Sequence, residues 1–360
     1  HKYHLNSGAK LADFGGWEMP IEYPASTGGG VLNEHRAVRE KVGLLDVSHL
    51  GKASVIGTGA LKFLNSVFTN DLERISDGQA QYTLMCDDET GGVVDDLIAY
   101  RYSKDQIFLI PNAANTSEVV ARMKQKAPSG IDVINEHEKY AVFALQGPKT
   151  FELLKAIGID VELNYMSFAI SSAAGHEVIL CRTGYTGELG VEIIPSWKDA
   201  RAMWDELSGA LPQFDGRVAG LGARDTLRTE MCYPLHGHEL SLSISPVEAG
   251  ATWAIGWKKD SFWGSEVLRS QKASGDHRRL VSFVMRERGI PRAEMKVVDS
   301  SGAEMGIVTS GTFSPTLKNG IGLALVSKPL SLGDEIGIDI RGKVGSAEVK
   351  PAPLVESHVR

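Results

Sequence analysis

The chain has 360 residues, 42% of them apolar and 23% charged, with a formal net charge of −7. That length predicts two or three domains with ordinary globular cores, and the acidic balance without a basic run argues against nucleic acid as the main partner. The three cysteines, Cys86, Cys181 and Cys232, form no CxxC pair and no disulfide framework, and no apolar run approaches the ~18 residues of a membrane span.

Taken in chain order, NEHRAVREKVGLLDVSHLG (33–51) begins as an amphipathic helix that Gly43 ends, with LLDVSHL extended after it. GKASVIGTG (51–59) reads as strand and turn. ALKFLNSVFTNDL (60–72) carries Leu61, Leu64 and Phe68 at helical spacing. QYTLMCDDETGG (81–92) is a strand and tight turn leading into GGVVDDLIAYRY (91–102), so the two predict a hairpin. QIFLIPNAAN (106–115) gives a strand that Pro111 ends. NTSEVVARMKQKA is a helix capped by Asn115 or Thr116, with Glu118 three residues past Asn115. These elements predict a compact antiparallel α+β unit.

A second α+β region follows. KYAVFALQGPKTFELLKAIG (139–158) runs from strand into helix, HEVILCR (176–182) and VEII are strands, and WKDARAMWDELSGAL and ARDTLRTEM are helical. After the linker SGDHRR (274–279), six short strands separated by Gly, Ser, Asp and Pro turns predict a small all-β barrel or sandwich.

The adjacent aspartates of the 91–102 stretch raise a chemical question. A strand has period 2, so one face carries Val93, Asp95, Leu97, Ala99 and Arg101, and the other Val94, Asp96, Ile98, Tyr100 and Tyr102. Asp95, on the face of Arg101, reads as a solvated or paired carboxylate. Asp96 has aromatics but no cation on its face and needs a hydrogen-bond donor, either structural or from a ligand.

CRTGYTGELGVEII (181–194) is the densest glycine loop, open to a tight turn or to close ligand approach, and it lacks the order of a phosphate loop. Glu192 takes the strand face opposite Val191 and Ile193. In VAGLGARDTLRTEMCYP (218–234), Arg224 and Arg228 lie four apart, placed for an anionic ligand or for ion pairs with Asp225 or Glu230. His236 and His238 lack a third ligand that would make a metal site, and His49 fits a structural histidine better than an acid or base. No GxSxG elbow is present. Strand carboxylates, aromatics beside them and arginines at a helix start suit a polar heteroaromatic ligand with an acidic tail.

The stretches GAKLADFGGWEMPIEY (8–23), VGLLDVSHLGK (42–52), FTNDL (68–72), QYTLMCDDETGGVVDDLIAY (81–100), ALQGPK (144–149), RTGYTGELGVEI (182–193), GLGARDTLRTE (220–230) and TSGTFSPTL (309–317) span nearly the whole chain. In that order they resemble the T-protein family of the glycine cleavage system, the tetrahydrofolate-dependent aminomethyltransferases. The resemblance implies an α+β, three-domain cloverleaf around a central folate cavity, with a C-terminal antiparallel β-barrel. Domain 1 would be discontinuous (1–50 and 137–269), domain 2 inserted at 51–136, and the barrel domain would occupy 270–360.

Residue by residue, the resemblance implies Asp96 as the catalytic carboxylate that positions folate and stabilises developing charge. Glu192 would read the pterin edge, and Tyr82, Tyr100, Asn112 and Tyr185 would line the cavity. Arg224 would meet the glutamyl side of folate or the incoming substrate arm, and Tyr233 would join the binding set. The reaction implied moves a one-carbon unit from S-aminomethyl-dihydrolipoyl H-protein to tetrahydrofolate, giving 5,10-methylene-tetrahydrofolate, ammonia and dihydrolipoyl H-protein. Lipoylated H-protein is the implied partner of a chain that is monomeric alone, with no metal, nucleic acid or membrane.

The same architecture resembles folate-dependent demethylases and a non-catalytic folate-binding protein of iron–sulfur assembly. The KGCY-type element of the latter is missing where this chain has EMCYPLHGHE. The start HKYHLNSGAK has neither an apolar h-region nor a transit pattern. The expected location is cytoplasmic in a bacterium, or the mitochondrial matrix in a eukaryote that removes a presequence.

Overall fold

The computed structural model describes residues 1–173 and 175–360. A five-stranded antiparallel sheet runs in the order Gln79–Cys86, Val93–Ser103, Gln106–Ile110, Ala53–Ile56 and Asp132–Asn135. Helices Ala60–Val67 and Thr116–Lys126 cover one face of it, because Leu61, Leu64, Val119 and Met123 present apolar stripes to Leu97, Ala99 and Leu109. Pro111 ends its strand as the sequence predicts.

The expected period-2 split of the aspartate strand needs one correction. Asp96 pairs with Leu84 and Asp95 with Met85, but Cys86 pairs with Val93, so Val94 is the extra residue of a β-bulge. Val94 therefore joins the helix-covered core with Leu97, and Val93 turns to the opposite cluster with Leu84. Downstream of the bulge the alternation holds, and Asp95 and Asp96 point to opposite faces.

A six-stranded sheet is ordered Phe168–Ala173, His176–Cys181, Gly190–Pro195, Phe143–Gln146, Gly43–Asp46 and Arg217–Ala219. Its last pair is parallel and its other pairs are antiparallel. One face packs on helices Thr150–Ala156 and Ala200–Ala210 through Leu44, Leu145, Leu153 and Trp204. The other meets the five-stranded sheet in a shared core of Leu45, Tyr100, Phe108, Phe168 and Ile179. Burial of this seam fixes the two sheets relative to each other.

Strands Arg279–Met285, Lys296–Val298, Glu304–Ser314, Asn319–Val326, Glu335–Ile340 and Lys343–Lys350 close into a barrel filled by Phe283, Val297, Ile338 and Val349. The sequence left open whether this region is a barrel or a sandwich, and closure decides it by removing the strand edges. The barrel rests on helix Leu221–Glu230, where Arg228 donates to Ser310 Oγ at 2.7 Å and Ser314 donates to Glu230. Among the elements not read from sequence are the hairpin Lys10–Phe14/Trp17–Glu22, turned at Gly15 and Gly16 (φ 62° and 85°), the short strands Asp132–Asn135, Phe168–Ala173 and Arg217–Ala219, and helix Ser265–Ser274.

Candidate active site

A cavity opens where the two sheets, helix Leu221–Glu230 and the 233–235 and Trp253 segments converge. Its walls include Tyr82, Asp96, Asn112, Tyr185, Glu192, Arg224 and Tyr233, seven of the eight residues expected at the site. About 1000 Å³ of space lies between them, counting the part open to solvent.

Asp96 reaches the cavity from the five-stranded sheet. Tyr82, on the neighbouring strand, donates its hydroxyl to Asp96 Oδ2 at 3.0 Å, and Asn112 Nδ2 donates to Asp96 Oδ1 at 2.9 Å. Burial pushes the carboxyl above its ordinary range, while Tyr82, His236 and Asn112 favour its ionised form. Burial, and then the Asp96 charge, push the Tyr82 phenol well above its ordinary value, so Tyr82 keeps its proton and stays the donor.

Asp95 differs from its expected role. It is fully buried, and Arg101 turns away from it to Asp77 at 2.8 Å. Its carboxylate accepts from Asn112 N at 3.0 Å, Asn112 Nδ2 at 2.9 Å and Asn115 Nδ2 at 2.7 Å. Burial, with Asp96 beside it, pushes this carboxyl up. Asn115 stands at the helix N-cap position, but its side chain makes no capping bond there. The expected cap is spent on Asp95 instead.

Glu192 enters from the strand Gly190–Pro195. Val191 and Ile193 pack into the helix-covered core, so Glu192 turns to the cavity side. Thr183 donates to its Oε2 at 2.6 Å, and among the described residues Oε1 accepts nothing. Tyr100 is corrected here: its ring is fully buried in the inter-sheet core and it is absent from the cavity wall. Its hydroxyl lies 3.2 Å from Thr183 Oγ1. Since Thr183 gives its proton to Glu192, Tyr100 is the donor, and it supports Glu192 from one layer behind. The large ring facing the inter-sheet seam is what draws it inward.

The two arginines of the helix separate cleanly. Arg228 is spent on Asp225, Glu239 at 2.9 Å and Ser310. Arg224 makes no salt bridge among the described residues and lies over the Tyr185 ring, 4.4 Å from its centroid. The Tyr185 hydroxyl donates to the Pro234 carbonyl and its ring leans on Tyr233 at 5.8 Å, which shapes one aromatic wall.

The glycine loop answers to packing. A Cβ on Gly184 would meet Gln146 Oε1 at 2.1 Å, and Gly187 has φ 79° with Met231 Sδ at 2.2 Å from an added Cβ. His236 and His238 donate to the carbonyls of Val93 at 3.1 Å and Thr309 at 2.8 Å. His49 is buried against Phe14, and burial, then Arg224, pull it down to about 3. It is neutral at ordinary pH.

Sequence reasoning missed Trp253, which is 66% exposed and stacks on Tyr82 with centroids 5.2 Å apart. It also missed Tyr165 and Met166 on the wall, the latter at φ 61°. Met166 sits in an irregular segment and Trp253 in a single short 3-10 turn, Thr252–Ala254, so neither carries a periodicity that sequence could read.

An α+β chain of two packed sheets and a closed barrel, with a carboxylate and aromatic cavity between the sheets and helix Leu221–Glu230, defines a small-molecule enzyme of three-lobed build. Residues 1–259 match the family described as GCVT N-terminal domain, and residues 278–356 match the glycine cleavage T-protein C-terminal barrel domain. An aminomethyltransferase of Parafrankia sp. is 55% identical over 360 residues, covering 100% of this chain and 98% of the relative. One from Mycobacterium tuberculosis H37Rv is 50% identical over 359 residues, covering 99% and 96%. The crystal structure of glycine cleavage system aminomethyltransferase T from Bartonella henselae superposes with a TM-score of 0.91 at 31% identity, covering 99% of this chain and 97% of that one. The chain belongs to the glycine cleavage T-protein family, the aminomethyltransferases, and has their cloverleaf fold.

Proposed function

We propose that the Asp96 cavity performs the family's aminomethyl transfer. The one-carbon unit carried on the dihydrolipoyl arm of lipoylated H-protein passes to tetrahydrofolate, giving 5,10-methylene-tetrahydrofolate and ammonia and freeing the dithiol arm. The observation that carries this reading is the Asp96 carboxylate itself, fixed at both oxygens by Tyr82 and Asn112 inside an aromatic cavity, with no cation bonded to it among the described residues.

The wall residues fit tetrahydrofolate. A pterin edge presents adjacent N–H donors, and Glu192 offers acceptors already oriented by Thr183. Tyr82, Trp253 and Tyr185 give flat apolar surfaces. Arg224 is a cation without a carboxylate partner among the described residues, suited to the glutamyl carboxylates. Tetrahydrofolate supplies the ring nitrogen that accepts the carbon.

The chain's own contribution is positional and electrostatic. Glu192 and the aromatic wall hold the ring in one pose, which removes the entropy of a bimolecular encounter. Asp96 lies ready to stabilise positive charge as the carbon–nitrogen bond to the departing ammonia lengthens, and its fixed donors mean that it need not reorganise. The wall's low polarity strengthens that field. The lipoyl arm enters through the solvent-open side, beside exposed Trp253. This reading places the chain in the compartment of its H-protein, the cytoplasm in a bacterium. Among the described residues no helix is long and apolar enough to cross a membrane.

The test is ammonia release from aminomethyl-loaded H-protein with and without tetrahydrofolate. Folate-dependent release supports the reading. Folate binding with no release from this donor, or one-carbon transfer to tetrahydrofolate only from methylated sulfur or amine donors, overturns it in favour of a binding protein or a demethylase.

A further inference from the structure

The aspartate beside the catalytic one is the unexplained group. Asp95 is fully buried, on the core face with Leu97 and Ala99, and no cation pairs with it among the described residues. A carboxyl buried without a cation is costly and an apolar residue would pack with its neighbours, so what accounts for Asp95 is the set of donors it holds at Asn112 and Asn115. The helix Thr116–Lys126 also forgoes a side-chain cap so that Asn115 can turn to Asp95. Two unfavourable choices converge on one carboxylate.

What they secure is Asn112. Its backbone N–H and its side-chain amide both donate to Asp95, at 3.0 and 2.9 Å. The same amide group reaches Asp96 Oδ1 and the Asp96 carbonyl, each at 2.9 Å. With acceptors on both sides, the NH₂ of Asn112 can face only the two aspartates, and Asp95 fixes that orientation from behind the strand. The Val94 bulge lies just before the pair, and the regular alternation beyond it puts the two aspartates on opposite faces.

Resting on the aminomethyltransferase reading above, we propose that Asp95 is a positioning residue of the catalytic centre, locking Asn112 so that its amide holds the Asp96 carboxylate in the cavity wall. Its effect falls on the rate of transfer. Asp95 touches no substrate, so tetrahydrofolate affinity is little affected.

The test is a double-mutant cycle on the full chain with loaded H-protein and saturating tetrahydrofolate. Asp95→Asn preserves shape but turns an NH₂ toward donors, so Asn112 loses a partner. It is expected to lower kcat about 10-fold or more with KM for tetrahydrofolate within about threefold, and to add less than about twofold in an Asp96→Asn background. Melting curves are matched across the set. If Asp95→Asn does not fold, Asn112→Ala breaks the same connection and is expected to show the same loss of kcat and the same lack of additivity. A wild-type kcat in the single variant, or a loss that multiplies in full with that of Asp96→Asn, overturns the positioning role while leaving the function standing. A wild type that releases no ammonia overturns the function, and this inference with it.

Discussion

Glu192 shows how much one residue's surroundings decide. Its Oε2 is already bonded to Thr183, which Tyr100 holds in turn, so the carboxylate is oriented before any ligand arrives. Replacing it with Gln keeps the size and exchanges one acceptor for a donor that would face ring N–H groups. Tetrahydrofolate affinity is expected to weaken about 10-fold, a cost of about 1–2 kcal/mol, with an unchanged melting curve. Calorimetric titration of both proteins checks it, and equal affinities would remove the pterin-reading role. The face of Glu192 was legible from sequence because Val191 and Ile193 flank it. The separate fates of Arg224 and Arg228 were not, because the partners that claim Arg228, Glu239 and Ser310, come from distant segments.

At the scale of elements, most strands and helices followed from local pattern. Hairpin turns, Pro111 and the Gly-rich spacing of the barrel strands are local signals, and the structure places elements on them. The Val94 bulge is different in kind. It depends on how the strand registers against Met85 and Cys86, which period-2 reading cannot see. Asn115 likewise has the sequence of a cap and the contacts of a site residue, because a buried carboxylate competes for its amide more strongly than a helix end that water can reach.

The 184–190 loop shows the same dependence on neighbours, since its glycines yield to Gln146 and Met231. Gly187→Ala would force a side chain to φ 79° and into Met231. It is expected to destabilise the protein by about 1–3 kcal/mol, read as an earlier denaturant midpoint. An unchanged midpoint would show that the loop shifts freely.

Across the whole molecule, one buried network ties the lobes. Glu230 accepts from His35 at 2.9 Å, from Arg39 at 2.7 and 3.0 Å, and from Ser314 of the barrel. Arg39 also bonds Glu188 at 2.9 Å, and Glu188 meets His358 of the C-terminal tail at 3.1 Å. Burial works to raise the Glu230 carboxyl, but His35, Arg39 and Ser314 outweigh it and hold it at about 2. Its folded value is thus depressed below the usual ~4.3 of the unfolded chain. Its contribution to stability is present above that value and is lost as pH falls towards about 2. Glu230→Gln, which leaves Glu188 as the carboxylate paired with Arg39, is expected to cost about 1.5–3 kcal/mol at neutral pH and to flatten the fall in melting temperature over that acid range. A variant that melts like wild type at pH 7 would remove the network from the account.

On the proposed mechanism the Asp96 carboxylate is held against a transferring carbon, so the rate of that transfer is the quantity to measure. Aminomethyl-loaded H-protein is mixed with excess enzyme and saturating tetrahydrofolate, and ammonia release is followed in a single turnover for wild type and for Asp96→Asn. The substitution keeps size and hydrogen bonding but deletes the charge. The account predicts folate-dependent release by wild type and a rate about 10-fold or more slower in the variant, at least ~1.4 kcal/mol of lost transition-state stabilisation, with the two proteins melting alike. Equal single-turnover rates in the two folded proteins, or no folate-dependent ammonia from wild type, would contradict it.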